Sequence, residues 1–197
     1  MPKKSRNFLT TPTRIRYYIH RFAEQEVEDI GRFREHVREA RNAREKSIEK
    51  RAEGLPEEAQ EFLADDLYEL DLVSGLTDQL SIVALYRVVE LYISKILVRR
   101  FGVSAVRKAY RIDTLEAFLK SKGVDLKAIS HFKSIDELRL LNNAVKHSGV
   151  VSAELAKHYP RWKKGNKLEH LDKAYERLHP KVSKYILRFA EAVKLKN

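Results

Sequence analysis

The chain has 197 residues, of which 43% are hydrophobic and 34% charged, so it is too apolar for a disordered chain and too charged for a membrane bundle. Its 7 glycines and 5 prolines leave little material for the many tight turns of an all-β fold, and the absence of cysteine excludes disulfides, thiolate zinc sites and a cysteine nucleophile. The 39 basic residues outnumber the 28 acidic ones and give a net charge of +11, which raises the question of an anionic partner.

The first predicted element is a long helix that begins near Thr11 and runs to about Ala52. If it is continuous, about 40 residues at about 1.5 Å each span about 60 Å, which exceeds a small domain. We therefore expect residues 1–53 to form a helical segment that projects or dimerises, and residues 54–197 to form a helical bundle. Gly31 is a candidate weak point of this helix. Its expected apolar stripe comprises Ile15, Ile19, Phe22, Ile30, Phe33, Val37 and Ala40.

A second helix is predicted to begin at Pro56, and we expect Gly75 to interrupt it. Thr77 is then expected to cap a separate central helix that ends near Gly102. The central helix is very apolar, but the charged residues within it make it a poor membrane span. The expected buried stripe of the second helix comprises Phe62, Leu63, Leu67 and Leu70.

Residues 54–78 carry eight acidic side chains and no basic one. Three interpretations follow: the segment packs beside basic helices, faces solvent, or docks on a basic protein partner through residues 57–71. Carboxylates on one exposed helix rarely build a dedicated metal cage, so we predict no metal site and no cofactor. Residues 79–197 carry 25 basic and 11 acidic residues, so an anionic partner is expected there.

The remaining predicted elements are also helical, which makes the predicted fold class an all-α helical bundle. A short helix is expected from Asp113 to Gly123, and a longer one, opened by a Ser134–Glu137 capping box, to about Ser148. Residues 149–171 are expected to be mostly irregular. The last helix is expected over about residues 172–193, split or kinked at Pro180.

Chemistry-bearing side chains concentrate between Ser134 and Gly149. Arg139, Asn143 and His147 follow one another at intervals of four residues and so share one side of a helix, with Asn142 and Lys146 beside them. His exchanges protons near neutral pH, Arg clamps phosphate, and Asn donates to phosphate or orients the imidazole. This set suits metal-independent RNA cleavage. The same residues equally suit a purely structural role. Lys146 and His147 are then cations that stabilise the helix terminus, and the two asparagines bind neighbouring backbone groups.

The ending Asn-Asn-Ala-Val-Lys-His of this helix resembles the signature helix of the HEPN superfamily. Members of that superfamily are all-α bundles found in prokaryotic toxins and defence proteins. The resemblance implies a ribonuclease with Arg139, Asn142, Asn143 and His147 as catalytic residues, working as a homodimer whose two signature helices form one basic cleft. Asn142 stands where that family's motif has arginine. The same resemblance therefore also allows a catalytically inactive module that binds nucleic acid or a protein.

A second basic segment surrounds the single tryptophan, at residues 159–167. Its cations are expected to hold phosphates while Trp162 stacks on a base. The alternative is a surface loop anchored by a buried tryptophan. The predicted nucleic-acid-binding residues are Lys146, Arg161, Trp162, Lys163, Lys164 and Lys167.

Three functions follow from the sequence: a HEPN-like ribonuclease of toxin or defence systems, an inactive nucleic-acid-binding module, and a structural or antitoxin-like protein. RNA is the first candidate partner, and a homodimer is expected. The N-terminus lacks an apolar signal core, so the expected location is the cytoplasm, without a membrane partner.

Overall fold

The computed structural model describes residues 12–108 and 111–194. Within these ranges the chain folds into six α-helices and one short 3₁₀ helix, with no strand, which confirms the predicted all-α bundle with a long N-terminal helix. The helices are α1 (Pro12–Ala52), α2 (Glu57–Phe101), α3 (Ile112–Ser121), α4 (Phe132–His147), α5 (Ala153–His158) and α6 (Leu171–Ala192), and the 3₁₀ helix covers Val103–Lys108. None of these helices is long and apolar enough to cross a membrane.

The two longest helices, α1 and α2, form an antiparallel hairpin. A turn at Gly54, whose φ of +78° lies in the left-handed region that favours glycine, joins them. Arg41 of α1 reaches Asp71 of α2 at 2.9 Å, and nearer the turn Arg44 and Arg51 both approach Asp66 at about 3.5 and 3.4 Å. Part of the acidic segment is thus neutralised by arginines of the same chain, as the first of its three interpretations expects.

The prediction that Gly75 and Thr77 separate two helices is wrong. Helix α2 runs through both positions without a break, as α1 runs through Gly31. The Thr77 hydroxyl donates to the Val73 carbonyl at 2.8 Å, so it bonds back within the helix instead of capping a new one. A glycine inside a helix lowers its stability by only about 1 kcal/mol, which the packing of a 45-residue helix readily offsets.

The buried face of α1 also differs from the expected stripe. Phe22 and Phe33 are 58% and 50% exposed, whereas Ala23 and Val27 are buried against α2 and α6. Neighbouring positions on a helix differ by about 100°, so a buried face through residues 23 and 27 turns residue 22 outward. On α2, Leu63 is buried as predicted but Leu67 is exposed, and the side chain of Phe62 lies outside those described.

The core lies where α4 and α6 pack against the second half of α2. Leu138 and Leu141 of α4, Ile186 and Phe189 of α6, and Ile96 of α2 are completely or almost completely buried. Helix α6 continues through the exposed Pro180, so the predicted split does not occur.

The helix starts in this half of the chain differ from their predicted positions. Helix α4 begins two residues before Ser134, after His131, which adopts a left-handed φ of 70°. Glu137 is buried by contacts from other elements and does not form a capping box with Ser134. Asp113 lies in the first turn of α3, whose cap position is Arg111.

A buried polar cluster joins α1 to α6. Arg34, although charged, is buried; its guanidinium lies 4.1 Å above the ring centre of Tyr175 and bonds Asp78 of α2 at 2.7 Å. His179 packs against Tyr175, and its Nε2 has no hydrogen-bond partner in the structure. Gly31 of α1 lies beside both side chains, since a Cβ added there would be 3.7 Å from His179 Nε2 and 3.7 Å from the Tyr175 hydroxyl.

We expect the folded protein to lose stability as the pH falls below 6.5. Burial lowers the pKa of His179, and nearby Arg34 lowers it further, while Glu176, a hydrogen bond to the Val27 backbone and Glu28 act in the opposite direction. The unfolded chain therefore binds the proton more readily than the folded chain once the pH drops through 6.5. Urea titrations at pH 8 and pH 5.5 measure this loss, which His179→Gln should reduce. An equal loss in wild type and variant would contradict the assignment.

Candidate functional site

Helix α4 presents Arg139 to two carboxylates. The Arg139 side chain is 15% exposed; its Nε donates to Asp136 at 2.9 Å and a terminal nitrogen donates to Glu154 of α5 at 3.0 Å. Burial lowers the pKa of Arg139, but the hydrogen bonds and charges of Glu154 and Asp136 outweigh it and raise the pKa overall. The guanidinium is thus held in place and its charge is largely balanced.

The other predicted catalytic residues occupy different environments. Asn142 is only 2% exposed; its Nδ2 donates to Asn143 Oδ1 at 3.3 Å, and its own Oδ1 has no partner. Asn143 is exposed, as are Lys146 and His147 in the last turn of α4. The structure therefore keeps Asn143 and His147 on an open helix face and turns Asn142 inward.

Arg139 and Asn143 line one cleft of about 520 Å³, between α2, α4 and the start of α3. The side chain of His147 is not part of its wall. The charged groups that line this cleft are mixed in sign, and they are Arg87, Arg111, Arg139, Glu90, Asp113, Asp136 and Glu154. Within a single chain, this cleft is therefore not a basic surface.

Replacing Asn142 by leucine is expected to stabilise the fold by about 1 kcal/mol. The unpartnered Oδ1 is buried at a cost, and a leucine of similar size removes that cost and adds apolar contact. The free energy of unfolding in urea measures the effect. A matched Lys133→Leu variant, at an exposed position of the same helix, should change stability by less than about 0.5 kcal/mol. Destabilisation of the Asn142 variant would show that Oδ1 is satisfied in solution.

A second cleft, of about 440 Å³, lies between the tryptophan segment and the beginning of α6. Trp162 lines it together with an excess of basic side chains over one carboxylate, Glu169. These basic residues are Arg161, Lys163, Lys167, Lys173 and Arg177. Four of the predicted nucleic-acid-binding residues thus come together, while Lys164 and Lys146 lie outside the lining.

Sequence reasoning missed the contribution of α6 to this cleft. Lys173 and Arg177 are four residues apart, on one face of the last helix, and His170 precedes them. The spacing is visible in the sequence, but nothing there indicates that the tryptophan segment folds against this face.

The buried carboxylate of Glu137 binds two of the residues that line this cleft. It is 2% exposed, accepts the indole N–H of Trp162 at 2.8 Å, and receives two hydrogen bonds of 2.8 Å from the Arg177 guanidinium. The bidentate pair neutralises a buried carboxylate that would otherwise be costly. Trp162 is only partly buried, so the structure fits the interpretation of an anchored tryptophan while leaving part of its ring at the surface.

Backbone hydrogen bonds fix the rest of the tryptophan segment. Val151 donates to the Asn166 carbonyl at 2.8 Å, Gly165 donates back to the Val151 carbonyl at 3.0 Å, and Leu168 donates to the Gly149 carbonyl at 2.9 Å. Gly165 has a φ of +82°, which only glycine adopts readily. The lysines on either side of this glycine are therefore carried by a defined backbone.

No protein-family model, curated protein or solved structure matches the chain. The resemblance to the HEPN superfamily therefore stays a hypothesis that rests on the α4 sequence. Within residues 12–108 and 111–194, no group of three or more His, Asp and Glu side chains is placed to hold a metal ion.

Proposed function

We propose that the protein binds single-stranded RNA in the basic cleft beside Trp162. The observation that carries this proposal is the convergence of Lys163, Lys167 and Lys173, from two separate segments, around the partly exposed indole. Among the residues that the structure describes, none of these three lysines has an ion-pair partner within 4 Å. Their charges are thus available to phosphates.

The two types of contact in this cleft match the two parts of a nucleotide. Lysine ammonium groups attract the phosphate backbone and release counterions on binding. An aromatic ring offers a stacking surface that accepts any base in a single strand. Both terminal nitrogens of Arg177 donate to Glu137, so Arg177 stabilises the structure of the cleft and does not contact the ligand.

Binding of a fluorescently labelled single-stranded RNA to the full chain, followed by anisotropy over a range of salt concentrations, tests the proposal. Replacing Lys163 and Lys167 by alanine should weaken binding and reduce the slope of log K against log salt by about 1.4, since each lost phosphate contact contributes about 0.7. Matching DNA and double-stranded RNA show which form of nucleic acid is preferred.

The control removes the same charge elsewhere. Lys46 and Lys50 are exposed on α1, in the hairpin and not among the residues that line the cleft. Lys46→Ala with Lys50→Ala should leave both affinity and salt slope close to wild type. If both double variants lowered the affinity for RNA equally, the effect would be due to net charge alone. That result would overturn the assignment of the cleft as the RNA-binding site.

The chain contains a single tryptophan, which gives a second and independent readout. RNA that enters the cleft should change the Trp162 emission in proportion to binding. Trp162→Phe keeps an aromatic surface and should bind more tightly than Trp162→Ala. RNA binding that leaves the Trp162 emission unchanged would place the ligand elsewhere.

A metal-independent ribonuclease activity is the second candidate function. The observation that favours it is that Arg139 and Asn143, both predicted from the HEPN-like helix, line one cleft of a size that admits a nucleotide. His147 lies outside the wall of this cleft, and its part in cleavage is what the HEPN resemblance implies. His147→Ala should therefore abolish cleavage in the presence of a chelator without changing stability, because His147 is exposed. Unchanged cleavage by this variant, or none by the wild type, would refute the activity.

A further inference from the structure

The first half of α2 carries an apolar stripe that the described part of the chain leaves uncovered. Leu72, Leu76 and Leu80 are each between 50% and 55% exposed. They follow one another at intervals of four residues and therefore lie along one side of the helix, each about 40° further around it. Tyr68 and Val73, also exposed, lie on either side of the stripe.

An aromatic side chain of α1 is exposed near one end of this stripe. Phe33 occupies the same face of α1 as Arg44 and Arg51, since intervals of 11 and 18 residues return to the same side of a helix within about 20°. Both arginines reach Asp66 on α2, so this face of α1 is turned toward α2. With the antiparallel register set by the Arg34–Asp78 pair, Phe33 lies at about the same level along the hairpin as Leu80, and both side chains are exposed.

Charged residues stand at the two ends of the stripe with opposite signs. Asp65 precedes Leu76 by 11 residues, and Arg87 follows it by 11 residues, so all three share one face within about 40°. Both charged side chains are exposed, and Arg87 also forms a long ion pair of 3.8 Å with Glu90 of the same helix. The face is thus acidic at one end, apolar in the middle and basic at the other end.

We propose that this face binds a second copy of the chain, with the two α2 helices antiparallel about a two-fold axis at Leu76. That symmetry places Leu72 against Leu80 of the partner subunit and Asp65 against Arg87 of the partner subunit. The face is therefore complementary to itself in charge and in apolar character. A parallel arrangement would instead bring like charges together at both ends.

This interface is separate from the RNA cleft, which lies on α6 and the tryptophan segment. Dimerisation can therefore be tested independently of RNA binding. It also differs from an association of two α4 helices, because none of its residues belongs to α4.

The mass of the full chain, measured by analytical ultracentrifugation over a range of concentrations, tests the association. The wild type should dimerise, and Leu76→Glu should weaken the dimer at least about tenfold by burying two like charges at the axis. Val103→Glu changes another exposed apolar residue, in the 3₁₀ helix, and should leave the dimer intact. A monomer at every concentration, or equal effects of both variants, would overturn the proposal.

Charge exchange tests the orientation of the two helices. Asp65→Arg and Arg87→Asp should each weaken the dimer, and the double variant should restore it, because the exchanged charges again face each other. Failure of the double variant to restore dimerisation would exclude the antiparallel pairing.

Cysteine cross-linking gives the register directly, since the chain has no cysteine of its own. Leu76→Cys lies on the proposed axis and should form an intersubunit disulfide under mild oxidation, whereas Leu72→Cys should not, because its counterpart is Leu80 of the partner subunit. Val103→Cys measures random oxidation. Cross-linking at Leu72 as strong as at Leu76 would show a parallel pair and overturn the proposal.

Discussion

Replacing Glu137 by glutamine should destabilise the protein by about 3 kcal/mol. The variant keeps an acceptor for the Trp162 indole, but it removes the charge that neutralises Arg177 and loses the bidentate pair of 2.8 Å contacts. Breaking a buried pair by removing one partner is costly because the other charge stays in place without compensation. Urea unfolding measures the loss, and the Trp162 emission should shift to longer wavelength as the segment loosens.

The matched control is Glu154→Gln. Glu154 also accepts from an arginine, at 3.0 Å from Arg139, but its side chain is 57% exposed. Exposed ion pairs contribute little, so this variant should lose less than about 1 kcal/mol. Similar losses of unfolding free energy in the two variants would mean that burial of Glu137 does not increase its contribution to stability.

The second large effect is expected from Phe189→Ala, which should cost about 3 to 5 kcal/mol. The ring is completely buried in the last turn of α6, next to Tyr185. Truncation removes apolar contact and leaves a cavity that the surrounding helices fill only in part. The free energy of unfolding in urea gives the measurement.

Phe22→Ala is the comparison for this substitution. Sequence periodicity assigned Phe22 to the buried stripe of α1, yet its side chain is 58% exposed and stacks on Tyr18. It should therefore lose less than about 1 kcal/mol. A loss near that of Phe189→Ala would indicate that the Phe22 face is covered in solution.

Local sequence signals predicted the helical elements well. The all-α class, the long first helix, the turn at Gly54 and the start of the second helix near Pro56 follow from glycine and proline positions and from the spacing of apolar residues. These signals act within a few residues, so a single sequence contains them. The predictions from Gly75 and Ser134 were wrong because of long-range packing. Helix α2 continues through Gly75, and Glu137 is buried in the core and does not form a capping box with Ser134.

Predicting the candidate site was more difficult. The sequence identified the basic tryptophan segment, and the structure brings four of its residues into one cleft. It did not identify Lys173 or Arg177, because these belong to another helix. On α4, the spacing of Arg139 and Asn143 correctly indicated a common face, but their environments depend on Asp136 and on Glu154 of α5.

The sequence by itself determined that this protein is a bundle of long helices without cysteine chemistry, with an acidic segment and a basic C-terminal part. Those properties depend on composition and on periods of three and four residues. Only the tertiary structure decided that Glu137 would bind Trp162 and Arg177, and that Leu72, Leu76 and Leu80 would stay at the surface. Which side of a helix is buried depends on the helices that pack against it, and those neighbours lie far away in the chain.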